Sequence, residues 1–156
     1  MELSLLNENH IAELIEMENN SEASEFIIRY DKAKHLSEIK NPLNRYLGIY
    51  EKGKLLGFLI LGVEQEGQKI EFRRIVIEQK GFGYGQKAVK ELEEYCIALW
   101  NTKSIWLDVF EFNHRGIYIY EKLGYKKIGE SSYNGKRLIV MEKYLSPNQL
   151  ENVYYL

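Results

Sequence analysis

Three glycines alternate with aromatic residues in Ile75-Val76-Ile77-Glu78-Gln79-Lys80-Gly81-Phe82-Gly83-Tyr84-Gly85-Gln86, the segment of the chain best suited to chemistry. A β-branched run ends there and a helical pattern begins. Glycine lets backbone N–H groups approach oxygen atoms closely, and the first turn of a helix adds unpaired donors and partial positive charge. The segment therefore suits a phosphate or pyrophosphate. A Walker loop would need Lys-Ser or Lys-Thr after the last glycine of its G-x-x-x-x-G frame, and no frame here supplies it. Gly83-Tyr84-Gly85-Gln86-Lys87-Ala88 does match the dinucleotide fingerprint G-x-G-x-x-A, with Asp108 twenty residues beyond Ala88. Against that reading, the loop follows an antiparallel meander, and what remains of the chain ends in another hairpin instead of further β-α-β units.

The remaining candidate is the pyrophosphate of coenzyme A. Lys80-Gly81-Phe82-Gly83-Tyr84-Gly85 resembles the R/Q-x-x-G-x-G/A signature of the GNAT superfamily of N-acetyltransferases, with Lys80 in place of Arg or Gln. Lysine keeps the charge and loses the planar fork. Asn113-His114-Arg115-Gly116-Ile117-Tyr118-Ile119-Tyr120-Glu121-Lys122-Leu123-Gly124-Tyr125 resembles the family's N-x-x-A…Y-e-k-l-G-F segment, with Gly116 in place of Ala. The two motifs agree in order and spacing.

This resemblance implies direct transfer of an acetyl group from acetyl-CoA to an amine. The backbone of Ile75, Val76 and Ile77 would hold the pantetheine, and one of their N–H groups would stabilise the oxyanion. Lys80, Gly81, Phe82, Gly83, Tyr84, Gly85 and Gln86 would cradle the pyrophosphate. Asn113 would cap its helix and reach the pantetheine or its phosphate arm. Tyr120 takes the place of the family's general-acid tyrosine; a phenol with a pKa of about 10 can protonate a thiolate whose conjugate acid lies near 8.5. Glu71 shares a strand face with Ile75 and Ile77 by alternation and is the candidate base for the amine, a water chain being the alternative. No metal is implied. The acceptor is expected to be a small cationic molecule such as a polyamine or amino sugar. A peptide N-terminus or lysine side chain is the rival, and a non-catalytic coenzyme A-binding module is a further one.

Those residues need elements to carry them. Leu3-Ser4-Leu5 alternates like a strand, and Asn7 precedes Ile11, Leu14, Ile15 and Glu18 at helical spacing. A poorly patterned stretch runs to Pro42. Residues 46–50 and 55–63 flank the turn Glu51-Lys52-Gly53-Lys54 as an antiparallel pair, and Ile70 to Ile77 follows after Gly67. Residues 86–100 read as an amphipathic helix with Ala88, Val89, Leu92, Tyr95, Cys96 and Leu99 on its apolar stripe. Ser104 to Val109 reads as a buried strand parallel to the one ending at Ile77. Asn113 caps a helix through Leu123, and Gly124 supplies its left-handed stop. Residues 125–129 and 138–144 pair around Asn134-Gly135. The expected fold is α/β, a mixed and mostly antiparallel sheet flanked by helices, in one domain over residues 1–156.

The chain has 156 residues, a length that favours one hydrophobic core. Its 21 Lys+Arg and 23 Asp+Glu give a net charge of −2, which removes the electrostatic drive of a general nucleic-acid binder. Residues 1–40 carry nine acids against four bases, whereas residues 69–90 carry a net +4, suggesting a cation near the front and an anion in the middle. The solvated-face reading of those charges stands beside this one. One cysteine, Cys96, can make no internal disulfide; it falls on an apolar stripe and reads as core. The three histidines form no metal motif, and His114 with Arg115 reads as a surface pair. No apolar run approaches the roughly 20 residues needed to cross a bilayer, so a cytoplasmic protein without membrane or nucleic-acid partners is expected. The apolar end, Val153-Tyr154-Tyr155-Leu156, must pack on its own domain or on a second subunit, which leaves a homodimer open.

Overall fold

A computed structural model describes residues 1–79 and 81–145, and the side chains of all of these except Glu22 and Ala23. Lys80 and the apolar tail with its homodimer question lie outside the described residues. The chain divides into two compact units, Met1–Gly62 with Phe72–Leu92, and Val63–Glu71 with the chain from Glu93 onward.

The first unit holds β1 (Glu2–Leu5), α1 (Ile11–Asn20), α2 (Lys32–Lys40), β2 (Asn44–Glu51) and most of β3 (Lys54–Glu64). β1 pairs with β2 and β2 with β3, both antiparallel. Alternate apolar residues and a short Gly-containing turn account for this meander. The Asn7 side chain accepts from the Asn9 N–H (2.9 Å), while His10 Nδ1 accepts from the Asn7 N–H (3.2 Å); this reciprocal cap starts a 3-10 turn that runs into α1. The core packs Leu6, Leu14 and Met17 with Tyr46, Phe58, Ile60 and Val76.

Two elements are shared. β4 (Lys69–Ile77) begins in the second unit and ends in the first, and α3 (Tyr84–Trp100) does the reverse. The second unit continues with β5 (Ser104–Phe110), α4 (His114–Lys122), β6 (Lys126–Tyr133) and β7 (Lys136–Tyr144). The seven strands follow the order β1-β2-β3-β4-β5-β7-β6. β4 and β5 pair in parallel, whereas β5–β7 and β6–β7 are antiparallel, so the sheet is mixed as expected. The last strand folds back between β5 and β6. Ile70, Cys96, Ile105, Leu107, Tyr125 and Met141 fill this unit's interior.

Three readings change. The stretch before Pro42 contains α2, which the apolar pattern hides because its one buried residue is His35. Asp31 starts it by accepting from the Lys34 N–H (2.8 Å), and Lys34 pairs with Glu38 one turn on (3.0 Å). Leu99 is 48% exposed, so the apolar stripe of α3 ends at Cys96. The final hairpin is longer than its apolar residues: β6 starts after Tyr125 and runs to Tyr133 with polar, exposed residues held by pairing to β7.

Candidate functional site

In the first unit the glycine bend has the conformation its composition requires. Gly81 and Gly83 have φ of 89° and 71°, in the left-handed region that side chains disfavour. A Cβ on either would meet nothing within 4 Å, so these glycines serve the backbone path and not a close contact. Phe82 is 67% exposed and its ring stacks on Tyr84 at 5.5 Å. The Lys87 N–H donates to the Gly83 carbonyl (3.2 Å), which opens α3 and leaves the N–H groups of its first turn without intrahelical acceptors. No acidic residue sits in that first turn to compete for them. The bend thus fits a phosphate or pyrophosphate.

The strand leading into the bend alternates strictly. Ile70, Phe72, Arg74 and Val76 are buried; Lys69, Glu71, Arg73, Ile75 and Ile77 are partly exposed. Its ladder to β5 comprises three pairs, Lys69 with Ser104, Ile70 with Ile105 and Glu71 with Trp106, and β4 runs six residues further. In this respect Glu71, Ile75 and Ile77 share one face as expected.

Arg74, one of the bases behind the net +4 of residues 69–90, is turned inward. It is 5% exposed, on the face opposite Glu71. Its Nη1 donates to Glu18 Oε2 (2.8 Å), its Nη2 to the Ile28 carbonyl, and its guanidinium lies 4.2 Å from the Tyr30 ring centre. Glu18 also bonds His35 Nε2, and His35 Nδ1 contacts the Tyr46 hydroxyl (2.8 Å). On the other face Arg73 pairs with Glu38 (3.3 Å), and Lys87 with Glu51 (3.7 Å). Arg73, Arg74 and Lys87 of the middle segment therefore pair with acids nearer the front, so part of the +4 charge of residues 69–90 is neutralised inside the unit. The clue was present: Glu18 falls on the apolar stripe of its helix, and Arg74 alternates with Ile70, Phe72 and Val76.

In the second unit, Asn113 Oδ1 accepts from the Gly116 N–H (3.0 Å) and caps α4. A Cβ on Gly116 would lie 2.6 Å from Asn113 Nδ2, so glycine here makes room for the capping side chain. Tyr120 is partly buried, and burial pushes its phenol up to about 12. Its ring meets Tyr125 edge-on at 6.0 Å. Of its neighbours, Tyr118 is 65% exposed, and Tyr125 is buried with its hydroxyl donating to Glu93 (2.9 Å). Gly124 has the left-handed φ of 100° that ends the helix. Across the β4–β5 pairs, Asp108 lies two residues beyond Trp106 on the face that carries Glu71. Crowding of its carboxyl, reinforced by the charge of Glu71, holds Asp108 above the ordinary carboxylate range. Trp106 Nε1 donates to the Glu64 carboxylate (3.1 Å). Cys96 is buried and pushed up to about 12 by burial, which suits a core thiol and not a nucleophile. His114 and Arg115 are exposed.

The glycine bend after β4 and the Asn-capped helix ending in Tyr-Glu-Lys-Leu-Gly are the two segments that carry the resemblance to N-acetyltransferases. Residues 10–125 match the model of the acetyltransferase (GNAT) family, and the chain belongs to that family. It is an acetyltransferase. Among curated relatives, it is 30% identical over 104 residues to the spermine/spermidine N(1)-acetyltransferase of Bacillus subtilis (strain 168), an alignment covering 62% of this chain and 68% of that protein. A probable spermine N(1)-acetyltransferase of Bacillus subtilis subsp. natto (strain BEST195) matches to the same extent. Among solved structures, the spermidine N-acetyltransferase of Vibrio cholerae in complex with CoA and spermine superposes with a TM-score of 0.75 at 19% identity, over 92% of this chain and 94% of that one. The spermidine/spermine N-acetyltransferase SpeG of the same organism with manganese ions gives 0.74 at 19%, over 97% and 95%. These likenesses establish the fold, and the dinucleotide reading of residues 83–88 falls with them.

Proposed function

We propose that the protein transfers an acetyl group from acetyl-CoA to a primary amine of a small polycationic molecule. The observation that carries this is the bend of two left-handed glycines, Gly81 and Gly83, that feeds the last strand residues of β4 into the 17-residue helix α3. In this reading the N–H groups of residues 81–86, with the charge of Lys80, bind the pyrophosphate. The backbone of Ile75, Val76 and Ile77 pairs with the pantetheine. Asn113 caps α4 and contacts the pantetheine arm. The amine nitrogen attacks the thioester carbonyl, the C–N bond forms, and the carbonyl electrons collect on oxygen before the C–S bond breaks. The amine proton passes to Glu71 or to water, and Tyr120 gives its phenolic proton to the departing sulfur. Burial serves that step by keeping the phenol protonated.

Two facts favour a polycation as acceptor. The curated relatives act on spermine or spermidine by name. The charge of Glu71 adds to the cost of ionising Asp108, and a bound ammonium would offset it. The single buried cysteine suits a reducing cytoplasm, and no helix among the described residues is long and apolar enough to cross a membrane. The whole chain is proposed to act as one acetyltransferase domain. The test is release of free coenzyme A, with mass-spectrometric identification of the acetylated product, across spermidine, spermine, amino sugars and lysine-containing peptides. Turnover of the polyamines is expected; turnover of peptides alone would overturn the acceptor class.

A further inference from the structure

Gly57 lies in β3, and its φ is not in the positive region, so its lack of a side chain is not required by its own backbone. It is required by β4. A Cβ added at Gly57 would overlap the Val76 carbonyl oxygen and come within 2.9 Å of Ile77 Cα. The Val76 carbonyl carbon would be 3.0 Å away, further than its oxygen, so the carbonyl points at Gly57. A bulge accompanies this approach: Ile49 pairs with Gly57 and Tyr50 with Leu55, which leaves Leu56 as the extra residue. Leu56 then accepts from the Glu78 N–H (3.0 Å).

The direction of one carbonyl fixes that of the next amide. All described peptide bonds are trans, and in a trans peptide the C=O and the following N–H point in opposite directions. With the Val76 carbonyl turned toward β3, the Ile77 N–H turns away from it, to the opposite edge of β4. We infer that Gly57 is a positioning residue for acyl transfer: by leaving its Cβ site to the Val76 carbonyl, it aims the Ile77 N–H at the thioester carbonyl oxygen. This rests on the acetyl-transfer reading above, and it selects one donor from the three backbone candidates. An oxyanion donor acts on charge that develops only as the amine adds, so its loss should appear in kcat and not in ground-state binding.

The experiment uses the full chain and whichever amine the wild type acetylates. Gly57→Ala should lower kcat by at least about 30-fold, a loss about tenfold or more beyond any rise in KM for acetyl-CoA or in the dissociation constant of coenzyme A, which lacks the acetyl carbonyl. Gly129→Ala is the control, since nothing lies within 4 Å of a Cβ there and its φ is ordinary; it should leave kcat unchanged. Should Gly57→Ala fail to fold, an amide-to-ester replacement at Ile77 removes the N–H alone and should cost about 100-fold in kcat. Retention of wild-type kcat by folded Gly57→Ala, or by the ester variant, overturns the inference. So does a loss of coenzyme A affinity equal to the loss of kcat, which would mark Gly57 as structural support only. A wild type inactive on every amine would instead sink the acetyl-transfer reading, so the two failures are distinguishable.

Discussion

Two clusters of ionisable groups, one in each unit, are arranged on opposite rules. In the first, charges meet their opposites: Arg74 and His35 enclose Glu18, and Glu38 takes Lys34 and Arg73. Burial alone would raise the Glu38 carboxyl, but the hydrogen bonds from Lys34 and Asn44, with the nearby cations, outweigh it and hold it below the usual range. In the second, Asp108 and Tyr120 are pushed toward their neutral forms, although ion pairs such as Lys143 with Glu93 (2.9 Å) and Lys69 with Glu142 (3.8 Å) stand elsewhere in that unit. Partial desolvation of its carboxyl raises Asp108, Glu71 raises it further, and burial raises Tyr120 to about 12. Matched charges hold a shape; mismatched ones keep protons that chemistry or a ligand can use.

The strongest way to break this contrast is to unmatch the first unit. Arg74→Met leaves Glu18 buried beside a histidine alone and should cost about 3–5 kcal/mol in urea denaturation; a loss under about 1 kcal/mol would mean the network is not what fastens α1 and α2 to β4. Next comes the second unit's proton. Tyr120→Phe should lower kcat about 100-fold with coenzyme A affinity unchanged. In the wild type, loss of the phenolic proton should not limit the rate until the pH approaches about 12; an alkaline decline near pH 10 that vanishes in the Phe variant would contradict the burial of this group.

The smallest effects come from single carboxylates. Asp108 has a folded-state pKa above its unfolded value of 3.8, so its contribution to stability is fully present below that value and lost as pH rises through the raised pKa. Asp108→Asn should therefore be slightly more stable than wild type at pH 7 and raise KM for a polyamine about threefold, with KM for acetyl-CoA unaltered. Glu38 has the opposite sign: its contribution is present above 4.5 and lost as pH falls through its lowered pKa, so Glu38→Gln should be less stable at pH 7 and should converge with wild type in acid. Thermal melts from pH 3 to 8 check both signs. Parallel pH dependence of the two variants would erase the distinction between the clusters.

Much of the scaffold is legible in the residues. The hairpin around Gly53, the helix after Gly83, the cap at Asn113 and the stop at Gly124 are each written by local chemistry, and each is where it was expected. The enzyme class also shows, because the glycine bend and the Tyr120 segment together are more specific than either alone. What hides is whatever depends on distant partners. α2 is invisible to periodicity because His35, its buried residue, is satisfied by Glu18 and Tyr46 from other elements. The pairing of Arg73 with Glu38, 35 positions apart, takes up part of the positive charge of residues 69–90 and shows in no local pattern. Gly57 reads as an ordinary strand residue until β4 is laid beside it.

One modest feature bears on how this protein can be altered. At the far end of α3, the Thr102 hydroxyl donates to the Gly67 carbonyl (2.6 Å) and lies 3.1 Å from that of Cys96, while the Gln68 side chain donates to the Trp100 carbonyl (2.9 Å) and Trp100 occupies the space a Gly67 Cβ would need. The bends at Gly53 and Gly135, with nothing within 4 Å, have no such entanglement. A tag, a protease site or a new chain terminus can be grafted at those two tips, whereas the junction of residues 65–68 with 100–102 is a stitch that editing would undo.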